Sequence, residues 1–165
     1  MQVRRKAREA AVQILYGLDV QERDPWEALE HYWQNFDRSE MPAEAREFAA
    51  ELVTGTWERR DEIDGLIGSC SEHWSLPRMS KVDKAILRMA VYELRFCPGI
   101  PPKVALNEAI DLGKLFGSEN SGAFINGILD ALHGRFAREN RPPEPQPGAP
   151  ASGESESKGS ASDPD

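Results

Sequence analysis

The chain has 165 residues, with 28 acidic side chains against 20 Lys and Arg and a formal net charge of −8. Its longest uncharged stretch, Asn120–Leu129, is ten residues and too short to span a bilayer; the apolar residues of the first helix are interrupted by Gln13 and Asp19, so no leader core is expected. Two cysteines, Cys70 and Cys97, make no disulfide framework, and His31, His73 and His133 have no metal-ligand spacing. No metal or cofactor is therefore expected, and the compartment reads as reducing and cytoplasmic.

With 18 Ala and 13 Leu but only two Thr, the composition favours helix throughout. The first helix is predicted over Arg4–Val20, where Ala7, Ala11, Ile14 and Leu18 recur at helical spacing. The second, Pro25–Phe36, opens on Asp24 as N-cap with proline at the first position. Met41-Pro42 breaks the chain before a third helix, Ala43–Arg60, and Ile63, Leu66 and Ile67 mark a fourth over Asp61–Ser71. The fifth begins at Ser80-Lys81-Val82-Asp83, which has capping-box spacing with Asp in place of Glu, and runs to Phe96. Apolar residues occupy nearly all its faces, so it belongs at the centre. Cys97-Pro98-Gly99-Ile100-Pro101 is a breaker; a sixth helix follows from Pro102 to Gly117, and a seventh from Gly122 to Phe136. The fold class is all-α with about seven helices, carried by a single globular domain, residues 1–141. Residues 142–165 hold six prolines, five serines and five acids, and their only hydrophobic residues are three alanines. Such a segment cannot bury enough apolar surface to offset ordering and is expected to be a disordered tail.

No nucleophile–base arrangement and no glycine-rich phosphate loop is present, so catalysis is not expected. Glu108 and Asp111 read as a solvated acidic face, and Glu93, in the apolar sector of the central helix, as a buried carboxylate satisfied by a neighbouring helix N-terminus. The anomaly is the cluster Arg4, Arg5, Lys6 and Arg8. Cations in the first turns of a helix oppose its dipole by about 0.3–1 kcal/mol each. The cluster is either a phosphate-binding patch or a solvated basic end. Tyr16 lies off the apolar stripe and is free for a partner or a base. Phe124, at the edge of the last helix's stripe beside the polar loop Ser118–Ser121, either stacks on an unpaired base or packs in the core.

The segment Arg5-Lys6-Ala7-Arg8-Glu9-Ala10-Ala11-Val12-Gln13-Ile14-Leu15-Tyr16 resembles the opening helix of the NusB family of transcription antitermination factors. Trp74–Leu94, and above all Val82-Asp83-Lys84-Ala85-Ile86-Leu87-Arg88, is similar to that family's central helix. Lys103–Ile110 and Phe124–Asp130 resemble its last two. The resemblance implies two packed helical subdomains and binding to the boxA element of ribosomal-RNA leader transcripts. It implies partnership with the small-subunit ribosomal protein NusE, in a complex that lets RNA polymerase read through terminators. Carried over by position, Arg4, Arg5, Lys6, Arg8, Asn120 and Phe124 fall on RNA-binding positions, and Tyr16, Asp83 and Arg88 on the NusE contact. The family often has an acid where this chain has Asn120 and a base where it has Ala123. Two alternatives stand beside this reading: an adaptor that binds protein but not RNA, and a relative of the N-terminal domain of ribosomal-RNA cytosine methyltransferases.

Overall fold

The computed structural model describes residues 2–35, 40–71 and 76–139. The expected tail, residues 142–165, lies outside the described residues, as do Phe36 and Trp74. Seven α-helices appear in the predicted order: α1 (Gln2–Val20), α2 (Pro25–Gln34), α3 (Ala43–Glu58), α4 (Arg60–Cys70), α5 (Lys81–Phe96), α6 (Pro102–Phe116) and α7 (Ser121–Glu139). A 3₁₀ turn, Leu76–Arg78, precedes α5 and is not expected from periodicity. No strand occurs among the described residues.

The local signals act as read. Asp24 Oδ1 accepts the Trp26 amide at 2.9 Å, with Pro25 at the first position of α2. Ser80 Oγ accepts the Asp83 amide at 3.1 Å and starts α5. The box is only half made, however. Asp83 is one methylene shorter than Glu, and its Oδ1 is buried with no hydrogen-bond donor among the described residues.

The helices form two packed subdomains, α1–α3 and α4–α7, and α5 belongs to both contact networks: it packs on α4, α6 and α7 and also on α1 and α3. Its run Ala85–Glu93 is buried without interruption. Leu15 and Leu18 of α1 and Leu52 of α3 share one core with Ile86, Leu87 and Met89 of α5 and Ile125, Leu129 and Leu132 of α7. Each fully buried aliphatic side chain contributes roughly 1.5–3 kcal/mol. Two glycines within helices permit close approaches to other helices: a Cβ at Gly55 of α3 would run into the Tyr92 ring, and one at Gly113 of α6 would lie 2.8 Å from Ile125 Cδ1. The half-buried Cys70 and buried Cys97 are both free thiols, and burial pushes Cys97 up to about 11, which keeps it protonated and inert.

Candidate nucleic-acid interface

The basic N-terminal turns of α1 lie against the C-terminal turns of α5 and the start of α6. There the four clustered cations part company. Arg8 is 3% exposed and grips Glu93, itself 1% exposed, with Nε at 3.1 and 3.2 Å from the two carboxylate oxygens and Nη2 at 2.7 Å from Oε1. Arg8 is thus a buried counter-ion to Glu93, where the family resemblance has it among the RNA-binding positions. The reason is that Arg8 falls on the face of α1 that packs on α5. The Glu93 expectation is half right: the carboxylate is buried, but a guanidinium satisfies it where helix-end amides were expected. Burial raises the Glu93 pKa above the ordinary carboxylate value and Glu108 pushes the same way, while Arg8 draws it back only in part.

Arg5 is half exposed and pairs with Glu108 at 2.7 Å and Asp111 at 2.9 Å, contacts that raise its pKa, the Glu108 hydrogen bond most of all. The supposed solvated acids of α6 therefore hold a cation of α1. Arg4 and Lys6 are exposed, with the Arg4 guanidinium 4.6 Å from the centroid of the Phe48 ring. Among the four, Arg4 and Lys6 present their charge to solvent, and Arg5 presents it shared.

Asn120 and Phe124 lie at the opposite end of α5. With Asp83, Arg78, Ser118 and Ser121 they line an open pocket of about 510 Å³. Phe124 is partly buried against the main core and also lines the pocket. Asn120 is exposed at the tip of the turn before α7. Ten residues of α5 separate Asp83 from Glu93, roughly 15 Å at the α-helical rise, so the cationic end and the aromatic pocket are apart and suit an extended ligand.

Tyr16 is 41% exposed on α1, as its position off the stripe requires. Arg88 lies within the buried run of α5. Its side chain is 10% exposed and makes two 2.7 Å bonds to Asp64 of α4 and a 3.5 Å contact to Asp19 of α1. It ties three helices together. Asp19 also receives Lys81 and Lys84 at 3.4 and 3.6 Å. Burial works to raise the Asp19 pKa, but Lys84, Arg88 and Lys81 together outweigh it and hold the carboxyl below its usual range. Sequence reasoning missed Asp19 and Arg78. Arg78 carries no periodic signal in its 3₁₀ turn; Asp19 lies beside the apolar stripe of α1, but its partners come from elsewhere in the chain.

Fold and site together define an all-helical protein with exposed cations towards one end of α5 and an open pocket lined by a partly buried Phe at the other. Residues 5–133 match the NusB family, and the chain belongs to that family. It is 59% identical over 140 residues to a transcription antitermination protein NusB of Syntrophus aciditrophicus (strain SB), covering 85% of each chain. The fold is similar to a solved T. maritima NusB, with a TM-score of 0.73, 39% identity and coverage of 79% of this chain and 90% of that one. It is also similar, at a TM-score of 0.71 and 30% identity over 82% of this chain and 98% of the other, to a chain in a structure of the antitermination factors NusB and NusE in complex with double-stranded RNA. No helix among the described residues is long and apolar enough to cross a membrane.

Proposed function

We propose that the protein is a transcription antitermination factor that binds boxA RNA of ribosomal-RNA leader transcripts together with the ribosomal protein NusE. It acts by binding and not by catalysis, as a cytoplasmic component of the RNA polymerase antitermination complex. The working unit is residues 1–141. The observation that carries the reading is the exposure of Arg4 and Lys6, with Arg5 beside them, at a helix end whose dipole disfavours cations, on a chain of net charge −8. Arg4, Lys6 and Arg5 meet phosphates; Phe124 stacks on a base and Asn120 flanks it. Tyr16 and Asp83 meet NusE, while Arg8 and Arg88 hold those elements in place.

The test is anisotropy of a labelled single-stranded boxA RNA across a salt series, with and without NusE. Three neutralised phosphates give a log–log slope of about −2.1 for a single strand, and changing Arg4 and Lys6 to Ala reduces it to about −0.7. A slope unmoved by that double change removes the RNA assignment of these residues. The commitment of Arg8 to Glu93 and of Arg5 to two acids favours one second reading, a NusE-binding adaptor without RNA contact. NusE capture with no RNA binding at any salt selects it.

A further inference from the structure

Arg5 is held at the surface by carboxylates of another helix. Its Nε donates to Glu108 Oε1 at 3.3 Å, and its Nη2 donates to Glu108 Oε2 at 2.7 Å and to Asp111 Oδ2 at 2.9 Å. Those bonds use three of the five N–H groups of a guanidinium and leave the two on Nη1 unbonded among the described residues. Glu108 and Asp111 stand three residues apart on α6, so both carboxylates fall on one side of that helix. The contacts continue inward: Glu108 Oε1 lies 3.7 Å from Arg8 Nη1, and Arg8 holds Glu93 at 2.7 Å. Asp111, Arg5, Glu108, Arg8 and Glu93 thus alternate in sign across α6, α1 and α5, and the three acids outnumber the two bases.

The two ends of this run of charges differ in how firmly they are held. Arg8 and Glu93 are buried, whereas the side chains of Arg5 and Asp111 are each about half exposed. Arg5 also stands on a boundary. On one side it borders an open pocket of about 520 Å³ together with Arg4 and Val104, and on the other a pocket of about 280 Å³ together with Glu9 and Asp111. Releasing Arg5 from its two acids strands neither of them: Glu108 keeps Arg8, and Asp111 returns to water. A phosphate can take the same hydrogen bonds from a guanidinium that a carboxylate takes. Arg5 can therefore exchange one for the other, and the buried Arg8 cannot.

We propose that Glu108 and Asp111 set the RNA affinity of this face by occupying Arg5 in the free protein: the two carboxylates stand in for a phosphate, and RNA has to take the guanidinium from them. This rests on the RNA reading above and adds to it two residues, neither of which needs to touch RNA. Exposed ion pairs are individually weak, so the exchange is easy and the face is attenuated, not closed. Two such pairs amount to roughly three- to tenfold in affinity.

Anisotropy of the labelled boxA RNA tests it, with the full chain at about 50 mM and about 400 mM salt. The proteins are wild type, Asp111→Asn, the double variant Glu108→Gln with Asp111→Asn, and the same single and double changes in an Arg5→Ala background, each checked for helicity by circular dichroism. The double variant is expected to bind roughly three- to tenfold tighter than wild type at the lower salt, and Asp111→Asn tighter by a smaller factor. Both gains shrink at the higher salt, as screening weakens the pairs. Without Arg5, the same changes are expected to move affinity by less than about twofold. Equal gains with and without Arg5 overturn the proposal, since general repulsion then explains them. Unchanged affinity overturns it too, because Arg5 then takes its phosphate through Nη1 with the acids in place. A loss of affinity overturns it by showing that the acids position Arg5 for RNA. Each of those results, with wild type binding, leaves the RNA reading standing; RNA binding by none of the proteins sinks that reading and the proposal with it. Should Glu108→Gln unfold the chain through its Arg8 contact, Asp111→Asn with and without Arg5 carries the same comparison.

Discussion

Replacing Arg8 by Met separates structure from function at the basic end of α1. The change leaves the Glu93 carboxylate, 1% exposed, without the three bonds at 2.7, 3.1 and 3.2 Å that now satisfy it. Removing one partner of a buried ion pair costs about 3–5 kcal/mol. For a domain of this size that is a fall of about 6–20 °C in unfolding midpoint, large beside a total stability of about 5–15 kcal/mol. The loss depends on pH with a definite sign. Glu93 already has a raised folded pKa, and losing Arg8 raises it further. A carboxyl of that kind contributes stability that is present below its unfolded value and lost as pH rises through the folded one. The Arg8→Met penalty should therefore be smaller at pH 5 than at pH 8, and adding Glu93→Leu should recover most of it. Urea unfolding followed by circular dichroism at both pH values measures this, with RNA anisotropy run well below the midpoint. A variant within about 1 kcal/mol of wild type whose RNA affinity falls as far as that of Arg4→Ala would refute the structural role given to Arg8.

Phe124→Ala should cost about 1–3 kcal/mol of RNA binding, and less stability than the roughly 3–5 kcal/mol of a fully buried Phe, because the ring is only partly covered; unchanged affinity in the folded variant returns the ring to the core. Asp19→Asn should destabilise by on the order of 1–2 kcal/mol at neutral pH. Asp19 has a lowered folded pKa, so its contribution is present above the ordinary carboxylate value and lost as pH falls through the folded one. An acid titration of stability should accordingly be shallower below about pH 4 in the variant than in wild type, and parallel curves would contradict the network. Gly55→Ala places a Cβ into the Tyr92 ring and should cost about 1–3 kcal/mol by displacing it, an outcome that thermal unfolding checks directly.

Helix positions were legible wherever a local cause sets them. Asp24-Pro25 and Ser80 start α2 and α5 through contacts made within three residues, and the breaker from Cys97 to Pro101 separates α5 from α6. The central place of α5 was legible too, since a helix apolar on nearly every face has nowhere to go but the middle. The fate of individual charges was not. Glu93 is 85 residues from Arg8, and Arg88 is 69 from Asp19, so no window along the chain contains either pair.

A signal was nevertheless present, and it lies in the faces. Arg8 precedes Val12 by four residues and Leu15 by seven, so it shares their side of α1, and that side is buried. Glu93 and Arg88 likewise fall inside the uninterrupted buried run of α5. A charge on an apolar face must find an opposite charge on the face it packs against, because burying it alone costs far more than folding can supply. Arg8 and Glu93 meet that condition with each other, and Arg88 meets it with Asp64 and Asp19. Arg4 and Lys6 fall off the buried face, are exposed, and lie where the helix dipole disfavours them. Tyr16, an exposed aromatic on the same helix, is in the same position without a charge. The resemblance to the NusB family grouped all of these residues as functional. Helix geometry divides them: those on the packed face are paired inside the fold, and those off it stay exposed.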